Sequence, residues 1–513
     1  MEEALKHHLD NLGVAIATGT RAYPAKPPFH PAQTYPEYPH AERGTDPGNQ
    51  VYAMVRECFR LLQLDEANFG RRAWNPLGGL ISPGQRVLIK PNFVLHFNAS
   101  GGPLDAVITH PSVIRAIVDY VIIALEDRGE IVIGDSPQMN CDIDKLHTAT
   151  GMNHLASYLQ GVCAARGVKF QLVDFRQEQT FYKHGIIWNR RKLGNGASPV
   201  RVSLGRESFM EAIDSTRLYG ADYCRGETVQ AHAGHRHEYV IAPAVLASDV
   251  LISVPKLKVH RKVGTTLNLK NMVGINSDKN HLAHYRIGSP SSGGDEFSNP
   301  CWDDRAERLF SDFFLGAYGQ SGRYPFLAWR AFRKLFRRIK PGGARSAFAY
   351  GNWHGNDTAW RMVLDLNRIL LFADREGKVG SEPARRYFSV IDGVVGGEGE
   401  GPLHPDAYAS GVVLAGFNPV AVDWTATRLM GFDPAEIPLY ANALKQMREW
   451  VPDFAIEECR VSSNVQEWER VLKSRDVIMS FRAPAGWRGQ IERYELGSQS
   501  PSASTPDLSI LSQ

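Results

Sequence analysis

Cationic and titratable side chains alternate with apolar residues in the stretch 248–278, SDVLISVPKLKVHRKVGTTLNLKNMVGINSD. Residues 250–254 form a short apolar run of the kind found in buried parallel strands, and Pro255 ends it because proline has no N–H to donate to a neighbouring strand. The alternating residues are Lys256, Lys258, His260 and Lys262. Because alternate residues of an extended chain share one face, the spacing predicts a strand with a cationic face.

A turn and a short helix are predicted to follow this cationic segment. Residues 264–266 (GTT) are interpreted as the turn, with a threonine as N-cap, and the helix carries Asn268, Lys270 and Asn271. Cations placed where a strand leaves a sheet favour an anion-binding site, since ligands of open α/β sheets usually lie beyond the carboxyl ends of the strands. The alternative is a solvated basic edge strand, which also shows alternating lysines.

Two earlier strands are predicted to end at the same edge of the sheet. Residues 85–92 and 130–134 have the apolar character of buried strands, and a helix over about 109–127 lies between them, with Thr109 as its N-cap. Strand, helix and strand at this spacing form a βαβ unit. The polar residues at the carboxyl ends of its strands are Lys90, Asn92 and Asp135.

Acidic residues follow a later strand. Residues 388–391 are predicted to form a strand that ends at Asp392, and a glycine-rich loop, GGEGEGP, carries Glu398 directly after it. Two functions are open for these carboxylates. Asp392 and Glu398 would hold a divalent metal ion, or they would neutralise the lysines.

These residues form one predicted constellation of cations and acids at strand ends. His260 and Lys270 are the candidates for acid–base or covalent catalysis, with Asp135 as a third catalytic residue. The predicted substrate-binding residues are Lys90, Asn92, Lys256, Lys258, Asn268, Asn271, Lys279 and Glu398. Clustered cations bind carboxylate or phosphate groups and lower the pKa of a neighbouring lysine.

Several motifs resemble a bacterial and archaeal family, domain of unknown function 362. The matching pieces are IKPNF at 89–93, THPSVIRAIV at 109–118, IVIGDSP at 131–137, VPKLKVH at 254–260, GTTLNLKNMVGI at 264–275, DGVVGGEGEGP at 392–402 and NPVAVDWTATRLMGFDP at 418–434. They span most of residues 80–440, and the resemblance implies no defined activity. Some members carry a ferredoxin-like segment with clustered cysteines that this sequence does not show, so no iron–sulfur cluster is expected.

A second, local resemblance covers only the central block. In the lactate racemase family a strand ends in a histidine, and a glycine-rich turn leads to a lysine that carries a nickel–pincer cofactor. His260 and Lys270 have the same ten-residue spacing. GTTLNLK replaces that family's Gly-Gly-containing run, and a further metal-ligand histidine would fall at Arg286, with His284 nearby. The resemblance implies a His/Lys pair suited to proton or hydride movement.

Composition excludes several classes of protein. The chain has 513 residues, of which 43% are hydrophobic and 22% charged, as in ordinary globular proteins. Its net charge of +3 is too small to indicate a nucleic-acid partner. The six cysteines show no C-x-x-C spacing, which argues against a zinc thiolate site or a disulfide framework and fits a reducing cytoplasm. We expect neither a signal peptide nor a membrane-spanning segment.

The predicted fold is α/β, with mixed, mostly parallel sheets flanked by helices and a ligand cleft between two sheet-containing halves. Residues 1–50 are expected to hold a first strand and an extended Pro-rich arm. Residues 51–440 form the body, 441–497 a C-terminal segment and 498–513 a disordered tail. An insertion at about 313–356 contains a basic amphipathic helix at 324–341.

Two functions from different classes remain open at this point. The first is an enzyme that binds a small anionic molecule at a Lys/His-rich cleft, with isomerase or oxidoreductase chemistry by proton or hydride movement. The alternative is a membrane-surface binding or assembly protein in a surface-polysaccharide or lipid-linked pathway, in which the helix 324–341 contacts an anionic membrane. That helix would otherwise pack its apolar face on the body.

Overall fold

A computed structural model describes most of the chain. The described residues are 8–40, 44–183, 186–194, 198–220, 224–298, 349–450, 454–474 and 476–493, together with the helical positions Leu327, Ala328, Ala331 and Leu335. Most of the predicted basic helix 324–341 and the predicted disordered tail 498–513 lie outside them. Within these ranges, no helix has the length and apolar character needed to cross a membrane.

Seventeen strands form the described sheets. They are β1 Gly13–Thr18, β2 Arg86–Pro91, β3 Gly129–Asp135, β4 Val168–Asp174, β5 Glu178–Lys183, β6 Ile186–Lys192, β7 Val200–Ser203, β8 Leu218–Tyr219, β9 Glu238–Ile241, β10 Val250–Val254, β11 Lys256–His260, β12 Gly264–Thr266, β13 Tyr285–Arg286, β14 Arg386–Glu400, β15 His404–Tyr408, β16 Val412–Gly416 and β17 Arg460–Ser463. The strands predicted at 85–92, 130–134 and 250–254 are confirmed to within a residue or two.

Eleven of these strands form one mixed, mostly parallel sheet. Its main path runs β17-β1-β16-β14-β10-β2-β3-β4, while β11 and β15 pair with β14, and β12 pairs with β11. The four neighbours from β14 through β10 and β2 to β3 are parallel. The α/β fold is confirmed. The sequence predicts two sheet-containing halves, whereas in the structure β14 joins these strands into one continuous sheet.

The centre of the sheet is buried on both faces. All five residues of β10 are buried, as its uninterrupted apolar run predicts. Leu251 belongs to the hydrophobic core on one face, whereas Val250, Ile252 and Val254 belong to the core on the other. This alternation follows from the two-residue period of a strand. It leaves the strand's carboxyl end, rather than either face, as the place where polar groups can gather.

Ten α-helices are described, and helices contribute to the hydrophobic cores on both faces of the sheet. They are α1 Val51–Leu61, α2 Pro111–Leu125, α3 Ile143–Thr150, α4 Met152–Ala165, α5 Arg225–His232, α6 Pro243–Leu246, α7 Asn268–Asn271, α8 Ala359–Phe372, α9 Pro419–Leu429 and α10 Pro438–Trp450. The predicted βαβ unit is confirmed as β2-α2-β3. The short helix that carries Lys270 is confirmed as α7.

The N-cap of α2 differs from the prediction. His110, not Thr109, caps the helix, because its ring Nδ1 accepts a hydrogen bond from the Ser112 N–H. The Thr109 hydroxyl instead donates to the carbonyl oxygen of Val254 at 2.6 Å. Thr109 therefore ties the start of α2 to the end of β10, a contact that local sequence does not reveal.

The predicted turn at 264–266 is also wrong. These residues form β12, which pairs antiparallel with β11 so that Lys258 faces Thr266 and His260 faces Gly264. Asp423, not a threonine, caps α7: its carboxylate accepts the Asn268 N–H at 2.9 Å. The long-range partner replaces the local cap because Asp423 is presented from α9.

The glycine-rich run after Asp392 is strand rather than loop. It is the second half of β14 and pairs with β15. A Cβ on Gly397 would lie 2.5 Å from the Ala106 carbonyl oxygen and 2.9 Å from Lys258 Cβ. Glycine is required here because β14, β11 and the loop before α2 approach too closely for a side chain.

Residues 19–40 form an arm without helix or strand that lies against the body. Arg115 of α2 donates to the carbonyl oxygen of Pro28 at 3.0 Å, and Arg56 of α1 pairs with Glu37 at 2.6 Å. Tyr23 reaches further, to the carboxyl ends of the central strands. The arm therefore covers the sheet edge where the cationic residues collect.

Candidate functional site

The first two lysines of this edge are neutralised by buried carboxylates, and we call them the paired lysines. Lys90 is the penultimate residue of β2 and is fully buried. Its Nζ lies 2.7 Å from Asp135 Oδ1 and 3.0 Å from Asn271 Oδ1. Burial lowers the pKa of Lys90, while the charge of Asp135 opposes that shift. A Cβ on Gly274 would lie 1.9 Å from Asp135 Oδ1, so the pair is tightly enclosed.

Lys256 is the second paired lysine, and its two partners come from separate segments of the chain. Its Nζ lies 3.1 Å from Asp392 Oδ2 and 2.5 Å from the Tyr23 hydroxyl, which itself donates to Asp392 Oδ1 at 2.5 Å. The Tyr23 ring stacks on His110 at 4.1 Å. Lys256 and Asp392 are both fully buried, so protein groups rather than water are their hydrogen-bond partners.

Three further buried lysines have no carboxylate within ion-pair distance among the described residues. They are Lys258, Lys270 and Lys279, and we call them the carboxylate-free lysines. Lys258 Nζ donates to the Val107 carbonyl oxygen, and Lys279 Nζ donates to that of Ser136 at 2.7 Å. Within the described residues, Lys270 Nζ makes neither a hydrogen bond nor an ion pair, although its side chain is only 8% exposed.

These lysines act on one another electrostatically. Burial, and then the charges of Lys256 and Lys270, lower the pKa of Lys258 well below its ordinary value. Burial lowers the pKa of Lys270 and Lys279 to about 7. The charge of Asp135 opposes the shift of Lys279, whereas nearby lysine charges add to both shifts. Like charges held together out of water produce this effect. The solvated edge strand is excluded, since Lys256 and Lys258 are both fully buried.

Two histidines border the carboxylate-free lysines, and their hydrogen bonds fix opposite tautomers. His260 Nδ1 accepts the Lys262 backbone N–H at 3.1 Å, so its neutral ring carries the proton on Nε2. His284 Nδ1 lies 2.9 Å from the Leu282 carbonyl oxygen and must donate to it, so its Nε2 is a free base. After burial, the charge of Lys270 is the largest influence lowering the pKa of both rings.

Residues on both sides of Lys270 are fixed by buried hydrogen bonds. The Asp423 carboxylate accepts the backbone N–H groups of Asn268 and Leu269 at 2.9 Å each. Asn271 Nδ2 donates to the Lys90 carbonyl oxygen and to Ser253 Oγ, both at 3.1 Å. The backbone that carries Lys270 is thus held at both ends, while its amine is left without a partner in the described structure.

Buried polar atoms without hydrogen-bond partners lie beside these cations. Thr266 faces Lys258 across β11 and β12, and directly opposed residues share one face of a sheet. Its hydroxyl has no partner among the described residues, and neither do Ser136 Oγ, Asn92 Oδ1 and Asn268 Oδ1. An unsatisfied buried polar group costs about 1–3 kcal/mol. A bound anion would satisfy both hydroxyls.

The two candidate metal ligands contact different cations. The Asp392 carboxylate accepts hydrogen bonds from Lys256, Tyr23 and the His110 backbone N–H. Glu398 instead lies 3.1 Å from the Arg482 guanidinium at the exposed rim. Nowhere in the described ranges do three or more His, Cys, Asp or Glu side chains come together as a metal site.

The structure brings most predicted site residues to one sheet edge. Lys90, Asp135, Lys256, Lys258, His260, Lys270, Asn271 and Lys279 interact with one another directly or through their charges. Asn92 and Asn268 border them, and Glu398 lies apart. Sequence reasoning missed Tyr23, Ser136 and Thr266. His284 was identified as a residue near Arg286, the position at which the lactate racemase family has a further metal-ligand histidine.

Comparison with known proteins gives a family match and a distant relative. The family model described as Domain of unknown function (DUF362) matches residues 87–188 and 195–428, which include every residue of the site except Tyr23 and the rim residue Arg482. The thylakoid-associated protein sll1697 of Synechocystis sp. is 22% identical over 380 residues, which is 72% of each chain. The local resemblance to lactate racemases is not shown by these comparisons and stays a prediction.

Proposed function

This chain belongs to the family described as Domain of unknown function (DUF362), and we propose that it is an enzyme whose cationic sheet edge binds a small molecule carrying carboxylate or phosphate groups. The binding groups are the carboxylate-free lysines Lys258, Lys270 and Lys279. The paired lysines, Lys90 and Lys256, hold the strand ends in place.

One observation carries this proposal: three enclosed lysines share a site without a carboxylate to neutralise them among the described residues. Removing an ammonium group from water is unfavourable by several kcal/mol unless a counter-charge replaces the water. At the paired lysines the protein supplies that counter-charge itself. At the carboxylate-free lysines a bound anion supplies it, and the hydroxyls of Ser136 and Thr266 add donors.

The histidine tautomers support proton-transfer chemistry at the bound anion. His284 presents an unprotonated Nε2 that accepts a proton, and His260 presents an Nε2–H that donates a hydrogen bond. Neither Nε2 is engaged by another described residue. Proton movement of this kind is the chemistry of isomerases that act next to a carbonyl group. We therefore favour an isomerase-type reaction over hydride transfer.

The test is calorimetric titration of the purified protein with sulfate and, separately, inorganic phosphate at pH 7. We expect one saturable site, with the affinity lowered at least about tenfold in Lys258→Met and in Lys279→Met. Each variant removes a charge-assisted hydrogen-bond donor from the anion. Lys169→Met is the matched control, since Lys169 is an exposed lysine on β4, and it should bind as the wild type does.

Equal affinity in Lys258→Met, Lys279→Met and the wild type would overturn the proposal. Circular dichroism and urea unfolding of each variant separate loss of binding from loss of fold. Native mass spectrometry of the protein as purified adds an independent readout, because a mass excess lost on denaturation would identify a ligand carried from the cell.

A second candidate function is peripheral attachment to an anionic membrane. Leu327 and Leu335 are 44% and 58% exposed, and with Ala331 they repeat at the four-residue spacing of one helical face. The sequence around them is rich in arginine. The distant relative bears the name thylakoid-associated protein. Sedimentation with phosphatidylglycerol vesicles, lost in a Leu327→Asp/Leu335→Asp variant and kept in His260→Ala, would support this function. Unchanged sedimentation of the leucine variant would refute it.

We place the protein in a reducing, cytoplasmic compartment. The described cysteines, Cys58, Cys141, Cys163, Cys224 and Cys459, are all free thiols.

A further inference from the structure

We infer that Lys270 forms an imine with the aldehyde or ketone group of an anionic substrate, whose carboxylate or phosphate is held by Lys258 and Lys279. This inference rests on the proposed anion site and names its substrate class: a small carbonyl compound with at least one acidic group.

The placement of Lys270 distinguishes it from the other buried lysines. Lys90 and Lys256 donate to carboxylates, and Lys258 and Lys279 donate to backbone carbonyl oxygens. Only the Lys270 amine, among the five, lacks a partner in the described structure. A lysine whose donors are all engaged is a poor nucleophile, whereas an unengaged amine on an anchored backbone can approach a carbonyl carbon.

The surroundings of Lys270 favour the neutral amine. Its side chain is enclosed, and Lys262 and Lys90 add positive charge nearby, which together lower its pKa to about 7. About half of the amine is therefore unprotonated at neutral pH, compared with well under one per cent for an exposed lysine. Desolvation combined with neighbouring cations is an established way to activate a lysine.

The step balances without an oxidant or a reductant. The neutral Lys270 amine attacks the carbonyl carbon, a C–N bond forms, and the C=O electron pair moves to oxygen. His284 Nε2 takes one proton from the nitrogen and passes it to that oxygen, which becomes a hydroxyl held by a hydrogen bond from His260 Nε2–H. The nitrogen lone pair then expels the hydroxyl, which takes one proton from solvent and leaves as water, and a protonated imine remains with both histidines neutral. Hydrolysis by water reverses these events and restores the lysine.

The imine also gives the site a reaction. A protonated imine withdraws electrons from the adjacent carbon, so a C–H bond there becomes acidic. The unprotonated Nε2 of His284 accepts that proton, and return of a proton to the same or a neighbouring carbon gives an epimer or an isomer. The carboxylate or phosphate group of the substrate stays bound to Lys258 and Lys279 throughout. The lysines that bind the substrate are therefore separate from the lysine that reacts with it.

The experiment is reductive trapping on the full-length protein. The protein is incubated at pH 7.5 with glyoxylate, which combines an aldehyde with a carboxylate, and then reduced with cyanoborohydride. Intact mass and peptide mapping locate the resulting carboxymethyl group. We expect one adduct per chain, on Lys270, formed on the order of a hundredfold faster than on exposed lysines because of the larger neutral fraction. Acetaldehyde, which lacks the carboxylate, should lose most of this preference.

The controls separate this inference from the proposed function. Lys270→Arg keeps the charge and should abolish the adduct, while Lys169→Met should not affect it. Sulfate should slow trapping of the wild type by occupying the anion site. Glyoxylate labelling that spreads over exposed lysines and spares Lys270 overturns the imine inference. If the same sample then still binds sulfate, the proposed anion site stands; if it does not, both fall.

Discussion

The paired and the carboxylate-free lysines lie at the same sheet edge and are similarly buried, yet they differ in what neutralises them. Lys90 lies 2.7 Å from Asp135, and Lys256 lies 3.1 Å from Asp392. Lys258 and Lys279 contact only backbone carbonyl oxygens, and Lys270 has no partner in the described part of the chain. The fold itself neutralises the first set, and we propose that a bound anion neutralises the second.

Opposite responses to mutation follow from this difference. Removing the acid from a paired lysine leaves a buried charge without a partner, which is strongly destabilising. Removing a carboxylate-free lysine takes away an uncompensated charge and should stabilise the ligand-free protein. Substitutions in the two sets therefore separate effects on stability from effects on binding.

The largest effect is expected when a paired lysine loses its acid. Asp135→Asn should lower the free energy of unfolding by about 3–5 kcal/mol, because the Lys90 ammonium group then remains buried without a countercharge. Urea unfolding at pH 7 measures the change. The double variant Lys90→Met/Asp135→Asn should recover a large part of it, since neither member of the pair is then charged. A loss below about 1 kcal/mol in Asp135→Asn would remove the distinction between the two sets.

The opposite sign is expected at Lys270. Lys270→Met should raise the free energy of unfolding by about 1–3 kcal/mol at pH 7 without ligand. The folded pKa of about 7 is below the ordinary value of 10.5. The burial penalty is therefore complete below pH 7 and declines as pH rises toward 10.5. The gain should shrink over that range in parallel urea titrations. Destabilisation by Lys270→Met at pH 7 would show that the amine has a structural role.

The pH dependence of sulfate binding provides a third test. Lys270 and Lys279 have free pKa values of about 7, and a bound anion raises both. Above pH 7 each must take up a proton to bind, so affinity should fall roughly tenfold per pH unit for each lysine involved. Sulfate is the suitable probe because it does not titrate in this range. Calorimetry from pH 6 to 9 measures the sulfate affinity. An affinity that does not change with pH would contradict the proposed binding roles of Lys270 and Lys279.

The smallest effect is expected at the arm. Tyr23→Phe removes a hydroxyl that contacts both Lys256 and Asp392, but the ion pair between them remains. We expect a loss of about 1 kcal/mol in the free energy of unfolding and little change in sulfate affinity. Sulfate affinity reduced tenfold or more would place Tyr23 among the binding groups.

Sequence reasoning predicted the elements of this edge better than their contacts. The apolar run 250–254 and the alternation after Pro255 predict β10 and the shared face of Lys256, Lys258 and His260, since both depend on local periodicity. The βαβ spacing predicts that Lys90 and Asp135 end neighbouring strands. Local pattern was enough because parallel strands of one sheet end at the same edge.

The partners of each lysine could not be predicted in this way. Lys256 and Asp392 are 136 residues apart and meet only because β11 and β14 pair. The sequence predicts Glu398 among the substrate-binding residues, but in the structure it lies beside Arg482. Arg482 belongs to a C-terminal segment whose sequence shows little periodicity. The cap of α7 comes from Asp423 rather than from the adjacent threonines. Long-range packing decided each of these outcomes.

The most direct test is the position of an anion in a crystal of the full-length protein grown with selenate. Selenium scatters anomalously, so its site can be located without bias from neighbouring atoms. We expect a selenate ion within hydrogen-bond distance of the Nζ atoms of Lys258 and Lys279, next to Lys270, with Lys90 and Lys256 still paired with their aspartates. Selenate found only on exposed lysines, or Lys258 and Lys279 still held by backbone carbonyl groups alone, would contradict it.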